Sequence, residues 1–97
     1  MYAIAFDLVV ALAERHHPRQ DASAAYGDIR RTLERHGFEW KQGSLYTTDS
    51  EDMATLFTAV MALRALPWFP IVVRDIRAFR VEQWSDFTAI VKGATPI

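Results

Sequence analysis

Residues Tyr2 to Leu8, Tyr-Ala-Ile-Ala-Phe-Asp-Leu, leave this chain few ways to fold. Large side chains at Tyr2, Ile4, Phe6 and Leu8 alternate with Ala3, Ala5 and Asp7, the period of two that marks a β-strand. One face of that strand is bulky and apolar, and needs helices packed over it. The other offers two methyl groups and a carboxylate. Burying a carboxylate is costly unless it is paired, hydrogen-bonded or bound to a cation. Asp7 therefore has two readings. Either it caps the strand by accepting N–H groups of the following turn, or it is a chemical group that the small alanines leave open to a close approach.

Further along, Val9 to Arg15 is apolar enough to extend the strand or to start a short helix, and Pro18 with Arg19-Gln20-Asp21 punctuates it. Asp21 or Ser23 can cap a helix running to His36, with Ala22, Tyr26, Ile29 and Leu33 inward and Gly37 as its stop. Phe38–Lys41 and Ser44–Thr47 read as two short strands joined by Gln42-Gly43, where glycine permits the positive φ of a tight hairpin. Asp49 or Ser50 then caps a second helix, ended by Pro67, with Met53, Leu56, Phe57, Val60 and Leu63 inward. A long strand is expected from Ile71 to Val81. In the tail, Glu82 to Val91, Ser85 can cap a short turn or helix with Phe87, Ile90 and Val91 inward, and Gly93 to Ile97 is expected to fray.

The order strand, helix, hairpin, helix, strand is βαββαβ. It predicts an α+β ferredoxin-like sandwich: one domain over residues 1–97, an antiparallel sheet, helices on one face and a short C-terminal helix. The first strand then lies centrally, with the Ser44–Tyr46 strand on one side and Arg74–Arg77 on the other. That last strand is interrupted by charge on both faces, in Arg74-Asp75-Ile76-Arg77. An arginine pairing with Asp75 or Asp7 at an edge or dimer contact explains this, and so does a functional site, since local rule-breaking gathers there. The topology thus brings Asp7, Ser44, Asp75 and Arg77 together.

Composition closes other routes. The apolar fraction of 51% excludes disorder, and the absence of cysteine excludes disulfides and thiolate metal sites. No basic segment precedes a long apolar run and no run spans a membrane, so a cytoplasmic protein is expected. Small size without staples favours an oligomer. A net charge of −1 gives no global attraction to nucleic acid. Yet nine of the eleven basic residues are Arg, whose forks suit phosphate or carboxylate, unless they reflect only genomic base composition. His16, His17 and His36 lie outside the strand core, where solvated histidines are expected, and His16-His17 is not metal spacing on a helix.

Taken in order, three blocks resemble the virulence-associated protein D (VapD) family: Met1-Tyr2-Ala3-Ile4-Ala5-Phe6-Asp7-Leu8, Gln42-Gly43-Ser44-Leu45-Tyr46, and Val73-Arg74-Asp75-Ile76-Arg77-Ala78-Phe79-Arg80-Val81-Glu82. Trp84-Ser85-Asp86-Phe87-Thr88 extends the match. The resemblance implies a ferredoxin-like homodimer, related in fold to the nuclease-like subunit of CRISPR spacer acquisition. It also implies endoribonuclease activity and, for some members, a toxin role beside a small antitoxin protein. The family's key aspartate matches Asp7, its hairpin serine Ser44 and its late-strand aspartate Asp75.

Two routes to RNA cleavage fit these residues. In one, a carboxylate made more basic by a like-charged neighbour takes the 2′-hydroxyl proton, while Arg77 or Arg74 steadies the transition state. In the other, the Asp7 side chains of two protomers hold Mg²⁺, which orients water and phosphate. Tyr46 is expected either to stack on a base or to pack in the core. The alternative to an enzyme is a non-catalytic dimeric RNA-binding or adaptor module of the same fold.

Overall fold

The computed structural model describes residues 1–93. Four strands, β1 (Tyr2–Leu8), β2 (Glu39–Gln42), β3 (Leu45–Thr48) and β4 (Val73–Arg80), form one sheet in the order β2-β3-β1-β4, with every neighbouring pair antiparallel. That is the ferredoxin-like arrangement, with β1 central as its composition requires. The helices are α1 (Val10–His16), α2 (Ala22–Arg35), α3 (Met53–Arg64), α4 (Phe69–Val72) and α5 (Thr88–Val91).

The bulky side of β1 makes the core. Tyr2, Ile4, Phe6 and Leu8 are buried together with Ala25, Ile29 and Leu33 of α2, Leu56, Ala59 and Leu63 of α3, and Phe69 and Val72 of α4. Ile4, Ile29, Leu33, Leu63 and Val72 are wholly buried, each contributing about 1.5–3 kcal/mol. The helix starts follow local hydrogen bonding. The Asp21 carboxylate accepts the Ser23 N–H at 2.9 Å, and Asp52 accepts that of Ala54 at 2.9 Å. Asp52, rather than Asp49 or Ser50, is the cap of α3; the Ser50 hydroxyl accepts the Asp52 N–H instead.

Several expectations need correction. Of the two readings of Val9 to Arg15, the short helix holds, as α1. The strand expected from Ile71 begins at Val73, because Phe69-Pro70-Ile71-Val72 takes a helical turn, where proline's missing N–H costs nothing. Met53 and Phe57 of α3 face outward, 59% and 65% exposed, since Leu56, Ala59 and Leu63 form its buried line. Phe87, Ile90 and Val91 are exposed rather than inward. His17 is buried: its Nδ1 accepts the Arg19 N–H at 3.0 Å, so Nε2 carries the proton toward Asp28 Oδ2 at 2.7 Å. The Trp68 ring packs edge-on against it, 4.8 Å between centroids. The frayed end expected from Gly93 to Ile97 lies, past Gly93, outside the described residues.

After β4 the chain crosses the sheet. Val81 N–H donates to the Met1 carbonyl at 2.8 Å, and Trp84 reaches Lys41 of β2, at the opposite edge. That is a traverse of three inter-strand steps of about 4.8 Å. Ala3 and Thr47, paired across β1 and β3 on the side away from the helices, are buried.

Candidate active site

Asp7 is the last residue of β1 on the helix-free side, and it is exposed. In β4 it lies opposite Asp75, while Ala5 lies opposite Arg77, so Asp7, Asp75 and Arg77 share one face. The pairing slips between Asp7 and Leu8, because Leu8 already faces Val73 and Arg74 is the additional residue. Bulges of this kind re-aim side chains and recur beside active sites. On the other flank the Phe6 N–H donates to the Ser44 carbonyl at 3.3 Å, which brings the hairpin turn alongside the end of β1. Gly43, at φ +49°, supplies the left-handed conformation of that turn.

These elements enclose an open cleft of about 450 Å³, lined by Ala5, Phe6, Asp7, Gln42, Gly43, Ser44, Leu45, Asp75 and Arg77. The small Ala5 forms part of its floor, as the alternation in β1 predicts. Arg77 Nη1 sits 3.1 Å from Asp75 Oδ1, which partly offsets the repulsion of two carboxylates placed opposite each other. Arg77 is otherwise well exposed, 73%, with N–H groups facing solvent for an incoming anion.

The topology-based grouping of Asp7, Ser44, Asp75 and Arg77 is therefore what the structure brings together. Arg74 is exposed at the bulge and does not line the cleft. Tyr46 is opposite Ile4, on the helix-covered side; it is buried and stacked on Phe6 with centroids 6.2 Å apart. Burial pushes its hydroxyl above the ordinary tyrosine range, with Glu34 adding to the effect and Arg30 opposing it. Tyr46 packs rather than stacks on a base. Gln42 and Gly43 line the cleft although their residue types alone mark only a turn; their signal is adjacency to Ser44.

Chemically, the cleft offers two carboxylates, a hydroxyl-bearing residue and a guanidinium. No cluster of three or more His, Asp or Glu side chains able to hold a metal occurs among the described residues. Asp7 and Asp75 do provide the one or two carboxylates that Mg²⁺ takes when water and substrate phosphate complete its shell. The donor set fits that ion and not a closed, all-protein site.

Away from the cleft, Asp28 joins His17 to Arg31. Burial works to raise its carboxyl, but the hydrogen bonds from His17 and Arg31 outweigh that and hold it below its ordinary value. Among the described residues no helix is long and apolar enough to cross a membrane.

No family model matches the chain. Individual proteins do. It is 63% identical over 93 residues to the endoribonuclease VapD homolog of Neisseria gonorrhoeae, covering 96% of this chain and 100% of that one. Identity to endoribonuclease VapD of Haemophilus influenzae is 53% over 93 residues (96% and 100%). For the protein of the same name from Dichelobacter nodosus it is 51% over 94 residues (97% and 100%).

Proposed function

The chain belongs to the endoribonuclease VapD family, and from that premise we propose that it hydrolyses RNA as a homodimer with Asp7 as the reactive carboxylate. The observation that carries the reading is the convergence of Asp7, Asp75, Arg77 and Ser44 on one open cleft at the uncovered end of β1. Cleavage of an RNA backbone needs a base to deprotonate the attacking oxygen and a cation beside the phosphoryl oxygens. Asp7 supplies the base; as the new P–O bond forms, the P–O5′ bond breaks and the departing 5′-oxygen takes a proton from solvent. Arg77, released from Asp75 or shared with it, supplies the cationic fork, and the Ser44 turn positions the strand. If Mg²⁺ binds here, Asp7 and Asp75 would hold it, and it would supply Lewis-acid stabilisation of the phosphate.

The dimer reading draws on the helix-free side of the sheet. Phe79 stands there 48% exposed, in line with Asp75 and Arg77, where a twofold contact would cover it. In that homodimer, a twofold axis through this side would bring the two Asp7 cleft ends toward one another. Within a toxin–antitoxin pair, a small antitoxin protein would act by closing this cleft.

The test compares purified wild type and Asp7→Asn on a single-stranded RNA, with and without chelator, alongside melting and sedimentation of both. Loss of cleavage in the variant, with melting and dimer unchanged, supports the reading. Equal cleavage by both proteins points to a contaminating nuclease and rejects it. RNA binding without cleavage by the wild type favours the adaptor module. Sensitivity to chelator selects the Mg²⁺ route, and insensitivity the metal-free one.

A further inference from the structure

Next to the Asp7 cleft lies a second cavity, of about 620 Å³, within the range that holds small ligands. The two share Gln42. One wall is the end of β2; the other is the segment that crosses the sheet after β4, including Trp84, Phe87 and Lys92. In the single chain Trp84 and Phe87 are 42% and 61% exposed. The chain has only two lysines, Lys41 and Lys92, and both line this cavity. Lys41 Nζ lies 5.8 Å from the Trp84 ring centroid, at the reach of a cation–π contact.

Two carboxylates temper that charge. Glu39 pairs with Lys41 at 3.5 Å. Asp86 is turned to capping, accepting the Thr88 N–H at 2.9 Å, and hydrogen bonds from Thr88 hold it below its ordinary range. What faces an incoming group is an indole with Lys41 beside it and Lys92 on the same lining, in a cavity that shares Gln42 with the Asp7 cleft. Single-stranded RNA is gripped by this combination: a base stacks on an aromatic plane and neighbouring cations meet the phosphates.

We propose that this cavity is a nucleobase subsite, in which one base of the RNA strand entering the Asp7 cleft stacks on Trp84 while Lys41 and Lys92 neutralise the adjoining phosphates. The subsite deepens the ribonuclease reading and rests on it for the identity of the ligand. It would give the enzyme grip on unpaired rather than duplex RNA, since only an unstacked base can enter.

The experiment measures binding of a fluorescein-labelled, fully 2′-O-methylated single-stranded RNA 12-mer, which resists 2′-hydroxyl attack, to wild type, Trp84→Ala, Trp84→Phe and Lys41→Gln. A stacked base predicts roughly 5- to 150-fold weaker binding for Trp84→Ala, most of it restored by Trp84→Phe. For Lys41→Gln, a slope of log affinity against log salt smaller by about 0.7 is expected. On cleavable RNA, KM should rise in Trp84→Ala with kcat unchanged. Binding by Trp84→Ala equal to wild type overturns the subsite while leaving cleavage by Asp7 intact. Tight, Trp84-dependent binding by a wild type that never cleaves upholds the subsite and rejects the ribonuclease. A shift of the monomer–dimer balance in Trp84→Ala, at unchanged RNA affinity, makes the crossing segment a protein contact and also overturns the proposal.

Discussion

On one side of β1, Tyr2, Ile4, Phe6 and Leu8 are all buried beneath helices. On the other, exposure climbs along the strand, from Ala3 at 0% through the half-buried Ala5 to the exposed Asp7. The two sides share a backbone, so the contrast comes from side-chain volume and from what is laid over each. Helices cover the first side along its whole length. On the second side the segment after β4 starts from the Tyr2 end, where Val81 hydrogen-bonds Met1, and Asp7 stays exposed. Packing is therefore concentrated on the first side, and the Asp7 carboxylate stands where little packing depends on it. A site built this way tolerates substitution of its chemical groups without unfolding.

The contrast is sharpest under truncation of the covered side. Ile4→Ala should cost about 2–5 kcal/mol by leaving a cavity between α2, α3 and the sheet. At roughly 4–8 °C per kcal/mol for a domain of this size, thermal melting would show a large drop. A melt within a degree of wild type would mean the core is not organised around β1.

The second test moves to the helical layer. His17→Ala should destabilise by about 1–3 kcal/mol, because it empties a buried site and removes the hydrogen bonds of the imidazole to Asp28 and to the Arg19 N–H. The Asp28 carboxyl, held below its ordinary value in the folded state, adds stability at neutral pH that fades as pH falls through and below about 4. Chemical denaturation of wild type and Asp28→Asn between pH 7 and 3 should therefore converge at the acid end. Parallel curves over that range would contradict the His17–Asp28–Arg31 assignment.

On the open side, Arg77→Ala should reduce cleavage by about tenfold or more by withdrawing the fork from the phosphate. Its melt should stay within about 0.5 kcal/mol of wild type, as an exposed pair with Asp75 contributes little. The smallest effect belongs to α3. Phe57→Gln, at a position 65% exposed, should change stability by no more than about 0.5 kcal/mol, whereas Leu56→Ala, one residue earlier and buried, should cost about 2–5 kcal/mol.

Much of this was legible from residue pattern, and the failures share a cause. The alternation in β1 announced both its faces, and the strand order that follows from βαββαβ brought Asp7, Ser44, Asp75 and Arg77 together although they are far apart in sequence. Tyr46 was ambiguous because a four-residue strand does not fix its own parity; only the pairing of Ile4 with Tyr46 places the ring under α2. Met53 and Phe57 looked inward because α3 is apolar around most of its circumference, so periodicity could not say which line faces the sheet. His17 follows a short helix and looks solvated in sequence; its burial depends on Asp28 and Trp68, 11 and 51 positions away. The crossing segment was the least readable, since its course is set by tertiary contacts with Met1 and Lys41.

The central claim is that the open end of β1 does chemistry the fold does not need. Its most direct test is the single-turnover RNA cleavage rate of Asp7→Asn measured beside its unfolding free energy. The account predicts a rate at least about 10²-fold lower with stability within about 0.5 kcal/mol of wild type. A variant that cleaves at the wild-type rate, or that loses activity only because it no longer folds, would contradict it.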